Sequence, residues 1–146
     1  MALTTFSGPV RSLAGFIGPI AQSSLTAAST LTAADSGNSY FLDSATEFAT
    51  TLPLPAAGLC FTFIVKSAPS GANYTIVTSA SANIIKGQAY PASGDAGDTG
   101  TADDTISFVS AAAVAGDMVT LVSDGTSWFA KAWCAVATGV TFTQAS

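Results

Sequence analysis

Beyond residue 20 the apolar residues recur with a period of two in short runs, and no segment of helix length sustains a period of 3.6. The clearest run is Leu59 to Val65, LCFTFIV, with Leu59, Phe61, Phe63 and Val65 on one face and Cys60, Thr62 and Ile64 on the other. Both faces are largely apolar, which predicts a central, buried strand. Asn73 to Thr78, NYTIVT, is a second run, and the Pro and Gly of the intervening SAPSGAN predict a hairpin between the two. In Val119 to Ala130, VTLVSDGTSWFA, Asp124-Gly125 has the composition of a two-residue type I′ turn. Such a turn sets Leu121 opposite Trp128 and Val119 opposite Ala130 on the core side, with Thr120 and Phe129 paired on the other.

Further strands are predicted at Ser23 to Leu31, Ser39 to Leu42, Glu47 to Leu52, Asn83 to Gln88, Thr105 to Ser110, Met118 to Ser123, Ser127 to Cys134 and Val140 to Thr143. This density of short strands is that of a sandwich or barrel. The chain therefore reads as all-β, a β-sandwich or jelly-roll-like barrel over residues 21–146, preceded by an extended N-terminal arm over residues 1–20. The one helix-like stretch, SAAAVAGD from Ser110 to Asp117, is too short to hold a helix on propensity and predicts a loop or single turn.

The surface of such a domain must be built from small polar groups, because the chain is 49% hydrophobic and only 9% charged. Four Lys+Arg against nine Asp+Glu leave a net charge of −5, which argues against nucleic acid as a partner, since that affinity rests on clustered cations. The absence of histidine removes the commonest general base and transition-metal ligand. GxSxG, SxxK, GxGxxG and GxxxxGK[ST] arrangements are also absent, and Lys66, Lys86 and Lys131 are isolated on strand-like segments. Neither an enzyme nor a cofactor is expected. Cys60 and Cys134 lie in apolar stretches without a CxxC pair and read as structural thiols, a disulfide being the alternative.

Two constellations invite a binding role. Asp95, Asp98, Asp103 and Asp104 fall among glycines in SGDAGDTGTADD, oxygen ligands of the kind Ca²⁺ takes. Their spacing does not match the calcium-loop pattern, so a solvated, mobile turn and no metal are expected. Asp43 and Glu47 flank a predicted turn and lack the rigid placement of a glycosidase pair. Trp128 and Trp133 stand at odd spacing on one strand and so point to opposite faces. Trp133, with Phe129 on the same face, is the candidate exposed aromatic patch for a sugar or protein partner, with core or subunit-interface burial as the alternative.

The stretch Phe6 to Pro19, FSGPVRSLAGFIGP, has the apolar content of a signal peptide, but Gly15, Gly18 and Pro19 break its apolar run. No run approaches the ~18 to 20 apolar residues of a membrane span, and no membrane partner is expected. Pro9 and Pro19 oppose a regular helix. An extended arm results, with Val10, Leu13, Phe16, Ile17 and Ile20 as apolar anchors. Strand addition on a partner would satisfy its backbone, and Arg11 suits a bidentate pair with a carboxylate there. Packing back onto its own domain is the alternative.

These residues also carry a resemblance. MALTTFSGPVRSLAGFIG resembles the N-termini of small head-decoration, or cement, proteins of tailed bacteriophages. LTAADSGNSYFLDSATEFATTLPLPAAGLCFTFIVKSAP from Leu31, NYTIVTS from Asn73, and GDMVTLVSDGTSWFAKAW from Gly116 to a closing GVTFT resemble a β-module of phage structural proteins, tail fibres included. The resemblance implies a non-enzymatic virion protein, often a homotrimer, on the outer surface of the capsid, bridging neighbouring major capsid proteins. In that setting Phe6, Val10, Arg11, Leu13, Phe16 and Ile17 contact the shell or a neighbouring subunit. Assembly in the host bacterial cytoplasm would keep the cysteines reduced. The same resemblance admits a tail-fibre or receptor-binding module that recognises a host surface or glycan through Phe129 and Trp133.

Overall fold

Six strands in the first half of the chain alternate between two sheets, in a computed structural model that describes residues 22–144. The expected arm, with Phe6, Val10, Arg11, Leu13, Phe16 and Ile17, lies outside the described residues. The strands are β1 (Gln22–Leu25), β2 (Ser29–Thr30), β3 (Ser39–Leu42), β4 (Ala49–Thr51), β5 (Cys60–Val65) and β6 (Tyr74–Val77). They are followed by β7 (Ile85–Pro91), β8 (Thr99–Asp103), β9 (Thr105–Phe108), β10 (Met118–Ser123), β11 (Trp128–Cys134) and β12 (Val140–Thr143). A seven-stranded sheet in the order β1-β3-β5-β10-β11-β7-β8 packs on a five-stranded sheet in the order β12-β9-β6-β4-β2. The fold is an all-β sandwich of two mixed sheets. Its parallel pairs set it apart from a jelly roll, whose sheets are antiparallel.

Parallel neighbours need a crossover, and here the crossover is a strand of the opposite sheet. Thus β1, β3 and β5 run parallel in the large sheet, while β2, β4 and β6 run parallel in the small one. This corrects the hairpin expected between LCFTFIV and NYTIVT. Strand β5 lies in the large sheet and β6 in the small one, so SAPSGAN carries the chain across the sandwich. Both strands bury a row of side chains, and on opposite sheets the two rows face a common core. Side chains fasten the crossover: Glu47 Oε1 accepts from the N–H of Ser70 at 2.6 Å and of Gly71 at 3.1 Å, and Asn73 Oδ1 accepts from the N–H of Ser110 at 2.8 Å.

The core lies between the sheets. Phe61, Phe63 and Val65 point inward from β5, whereas Cys60, Thr62 and Ile64 are half-buried on its outer face. The strand is central, as its composition predicts, but its second face is open because no layer among the described residues covers the large sheet on that side. Tyr40 stacks on Phe63 at 5.6 Å, Phe61 tilts against Trp128 at 5.7 Å, and Phe48 meets Tyr74 edge-on at 5.2 Å. Ser110 to Asp117 forms turns, as its length predicts.

The β10–β11 hairpin pairs Ser123 with Trp128, Leu121 with Ala130 and Val119 with Ala132, which corrects the predicted register by two residues. The turn centres on Gly125-Thr126 because Asp124 Oδ1 accepts from the N–H groups of Thr126 and Ser127, both at 2.8 Å. Gly125, with φ of 103°, then stands at the first central position, where a II′ turn places glycine. An even shift preserves the faces: Trp128 stays in the core and Phe129 outside.

The acid-rich segment is corrected in its second half: 93–98 is turn and irregular backbone, as expected, but Thr99–Asp103 is strand β8, paired with β7. Asp98 and Asp103 serve the backbone and Asp104 a side chain. Asp98 Oδ2 accepts from Phe142 N–H at 2.7 Å, Asp103 Oδ2 from Thr101 N–H at 3.0 Å, and buried Asp104 accepts from the Thr105 hydroxyl at 2.8 Å. Asp95 is exposed. No group of three or more His, Cys, Asp or Glu that could hold a metal occurs among the described residues.

Several other carboxylates are held by donors. The Thr32 hydroxyl and N–H lower the Asp35 pKa; hydrogen bonds from Lys66 and Ser67 lower that of Asp43; the Ser70 and Gly71 N–H groups lower that of Glu47; and the Ser127 and Thr126 N–H groups lower that of Asp124. Each of these groups titrates lower folded than unfolded. Its contribution to stability is therefore complete above the unfolded carboxylate range of about pH 4 and is lost as pH falls through the lowered values. The melting temperature is expected to be level from about pH 7 to 5 and to drop below about pH 4. A calorimetric series that stays level to about pH 2 would contradict this.

Candidate functional site

The open face of the seven-stranded sheet is built by the outward half of each alternation, and the strand register sorts it into three rows. One row reads Lys86, Phe129, Val122 and Cys60 across β7, β11, β10 and β5. The next reads Gln88, Lys131, Thr120, Thr62 and Ser39, continuing onto β3. The third reads Tyr90, Trp133, Met118, Ile64 and Phe41. A polar row thus runs between two rows rich in apolar and aromatic groups.

Strand β11 alternates strictly, burying Trp128, Ala130, Ala132 and Cys134 and exposing Phe129, Lys131 and Trp133. Trp133 is 57% exposed and Phe129 46%, with Val122 at 47% and Tyr90 at 41% beside them. These four make the face the main concentration of exposed large hydrophobics among the described residues, the kind of patch that marks a contact site. The Tyr90 and Trp133 rings lie 5.1 Å apart at 31°. The Lys86 ammonium stands 5.8 Å from the centre of the Phe129 ring, within cation–π range. The Tyr90 hydroxyl donates to Gln88 Oε1 at 2.6 Å. Between these groups lies an open groove of about 600 Å³, lined by Lys86, Gln88, Tyr90, Thr120, Val122, Phe129 and Lys131.

Phe129 and Trp133, the two aromatic residues singled out from sequence, share this face but do not form one patch. Lys131 stands between them on the strand, and each belongs to a separate pair: Phe129 with Lys86, Trp133 with Tyr90. Sequence reasoning did not find Lys86, Gln88 and Tyr90 as site residues. Their alternation in IKGQAYP is legible, but the parallel pairing of β7 with β11 that brings them here joins segments distant in the chain.

Charge is unevenly placed. Of the three lysines among the described residues, Lys66 is paired with Asp43 at 2.6 Å, while Lys86 and Lys131 both stand on the groove. The groove thus offers ring faces, two ammonium groups, an amide and a hydroxyl, a set suited to recognition. At the Trp133 end of β11, Asp117 is buried and accepts from Val114 N–H at 3.0 Å and Ala135 N–H at 2.9 Å, which ties the loop before β10 to the residue after β11. Cys60 and Cys134 are free thiols. Burial, followed by the charge of Asp117, pushes the Cys134 pKa up, which keeps it protonated and unreactive.

No protein-family model and no curated protein matches the chain. Among the described residues no helix is long and apolar enough to cross a membrane.

Proposed function

We propose that this chain is a non-enzymatic structural protein of a tailed-phage particle, a decoration or cement protein on the outer surface of the capsid. In this reading residues 1–20 bind the major capsid protein and a homotrimer bridges neighbouring copies of it, with Arg11 paired to a carboxylate of the shell. The sandwich then displays the open face of its large sheet. The observation that carries a contact role is that face: a charge-poor domain leaves Val122, Phe129 and Tyr90 exposed around one groove, with exposed Trp133 against Tyr90 beside it, a concentration of apolar surface of the kind that marks a contact site. The resemblance of the opening residues and of the β-module supports the phage setting.

Deleting residues 1–20 is expected to leave a folded sandwich that no longer decorates heads. Undiminished binding of the truncated protein to capsids, measured by co-sedimentation, would overturn the reading. A second reading, a tail-fibre or receptor-binding module, is favoured by the two outward aromatic pairs. Copy number in purified particles separates the two, many copies on the head against few at the tail.

A further inference from the structure

We propose that the groove on the open face of the large sheet binds an acidic polysaccharide, with sugar rings laid on Phe129 and on the Tyr90–Trp133 pair and carboxylates of the sugar chain met by Lys86 and Lys131. This goes beyond attachment to a particle and concerns the domain by itself.

Charge argues for an anionic ligand. The protein carries a net charge of −5, yet both lysines that stand outside the Lys66–Asp43 ion pair line this one groove. The register places Lys86 opposite Phe129 and Lys131 opposite Gln88, so the two lysine Cα atoms lie roughly 8 Å apart, from a strand spacing of about 4.8 Å and a rise of about 3.3 Å per residue. Phe129 and Trp133 are four residues apart on β11, or about 13 Å. Ring platforms at Phe129 in the groove and at Trp133 beside its Tyr90 wall, with Lys86 next to Phe129 and with Lys131 and Gln88 between the two, suit a chain of sugars better than a single one. Aromatic faces cover the apolar C–H side of a sugar ring, and the ammonium groups serve its carboxylates.

The same arrangement disfavours other anions and other partners. Nucleic acid binding draws on many cations along a backbone, and two lysines on an acidic protein do not supply them. An anionic membrane is held by about 1 kcal/mol per basic residue near its surface, so two are too few. A protein interface places its aromatic anchors at the centre and its polar groups at the rim, whereas here the polar row of Gln88 and Lys131 runs through the middle.

The test uses the full chain and its intrinsic fluorescence. Trp128 is buried and Trp133 exposed, so a ligand-induced change reports on Trp133. Oligogalacturonate, a hyaluronan fragment and a sialylated oligosaccharide are titrated, each against its carboxyl-reduced or desialylated counterpart. At least one acidic form is expected to bind, and to weaken as salt is raised from about 0.05 M to 0.5 M. Lys86→Gln and Lys131→Gln are each expected to weaken it by about tenfold, and Phe129→Ala and Trp133→Ala by about tenfold or more. Unchanged circular dichroism and melting temperature confirm that these surface variants fold. The proposal is overturned by no binding to any acidic form, by equal binding of the neutral forms, by unaffected variants, or by binding only to single-stranded DNA or anionic vesicles. Head decoration is measured separately on capsids, so failure of one assay is distinguishable from failure of the other.

Discussion

Replacing Trp128 by alanine is expected to lower the unfolding free energy by about 3–5 kcal/mol, a large part of the roughly 5–15 kcal/mol that a domain of this kind possesses. Trp128 is fully buried, its ring lies 5.7 Å from that of Phe61, and its backbone pairs with Ile85 on one side and Ser123 on the other. Truncation removes the largest buried side chain from a place where three strands hold the surrounding backbone, so the cavity closes poorly. Urea denaturation followed by circular dichroism measures the loss as a shift in midpoint at constant slope. A loss below about 1.5 kcal/mol would show that the site is not close-packed. Trp128→Phe provides the contrast. The indole Nε1 is buried without a hydrogen-bond partner among the described residues, and an unsatisfied buried donor costs about 1–3 kcal/mol. Phenylalanine removes that cost and keeps a ring against Phe61. It is expected to lose no more than about 2 kcal/mol, the smaller cavity being partly offset by the donor removed.

Gly87→Ala is expected to be nearly as damaging, for a backbone reason. A Cβ at Gly87 would lie 2.3 Å from the carbonyl oxygen of Ala130 and 2.8 Å from its Cβ. The oxygen belongs to the backbone of β11, itself held by β10 on its far side, so no flexible side chain can yield. Overpacking of this kind costs typically about 1–3 kcal/mol, and here the ladder between β7 and β11 must open, so a loss of about 3 kcal/mol is expected. The same opening would part Lys86 from Phe129 and Tyr90 from Trp133, so saccharide binding should fall with stability. Gly71→Ala is the control, because its Cβ would meet only Glu47 Oε2 at an ordinary 3.5 Å. Equal midpoints for the two variants in urea would refute the steric account.

Much of the strand inventory was legible where alternation is bounded by turn residues. β3, β10 and β12 occupy Ser39–Leu42, Met118–Ser123 and Val140–Thr143, the ranges the pattern itself marks. Ser23 to Leu31 reads as one run but divides into β1 and β2 on opposite sheets. β8 was hidden, since Thr99–Asp103, TGTAD, contains no bulky apolar residue. It stands as an edge strand because β7 supplies its hydrogen bonds and because Gly100 leaves room for Phe142, whose ring would lie 2.8 Å from a Cβ there. Neither condition is local to the segment.

The sequence by itself determined the period and therefore the faces. With a repeat of two, Trp128 and Trp133 point to opposite sides of β11 whatever the turn does by an even number of residues, and a two-residue change in register left Trp128 in the core and Phe129 outside. Only the tertiary structure decided which sheet each strand joins, that β5 and β6 lie in opposite sheets, and that β7 lies parallel to β11. The physical reason is that a strand's own residues specify which side it buries, whereas its neighbour is chosen by how all the buried rows fill one core. The groove is the product of both: alternation turned Lys86, Tyr90, Phe129 and Trp133 outward, and the packing of distant strands set them side by side.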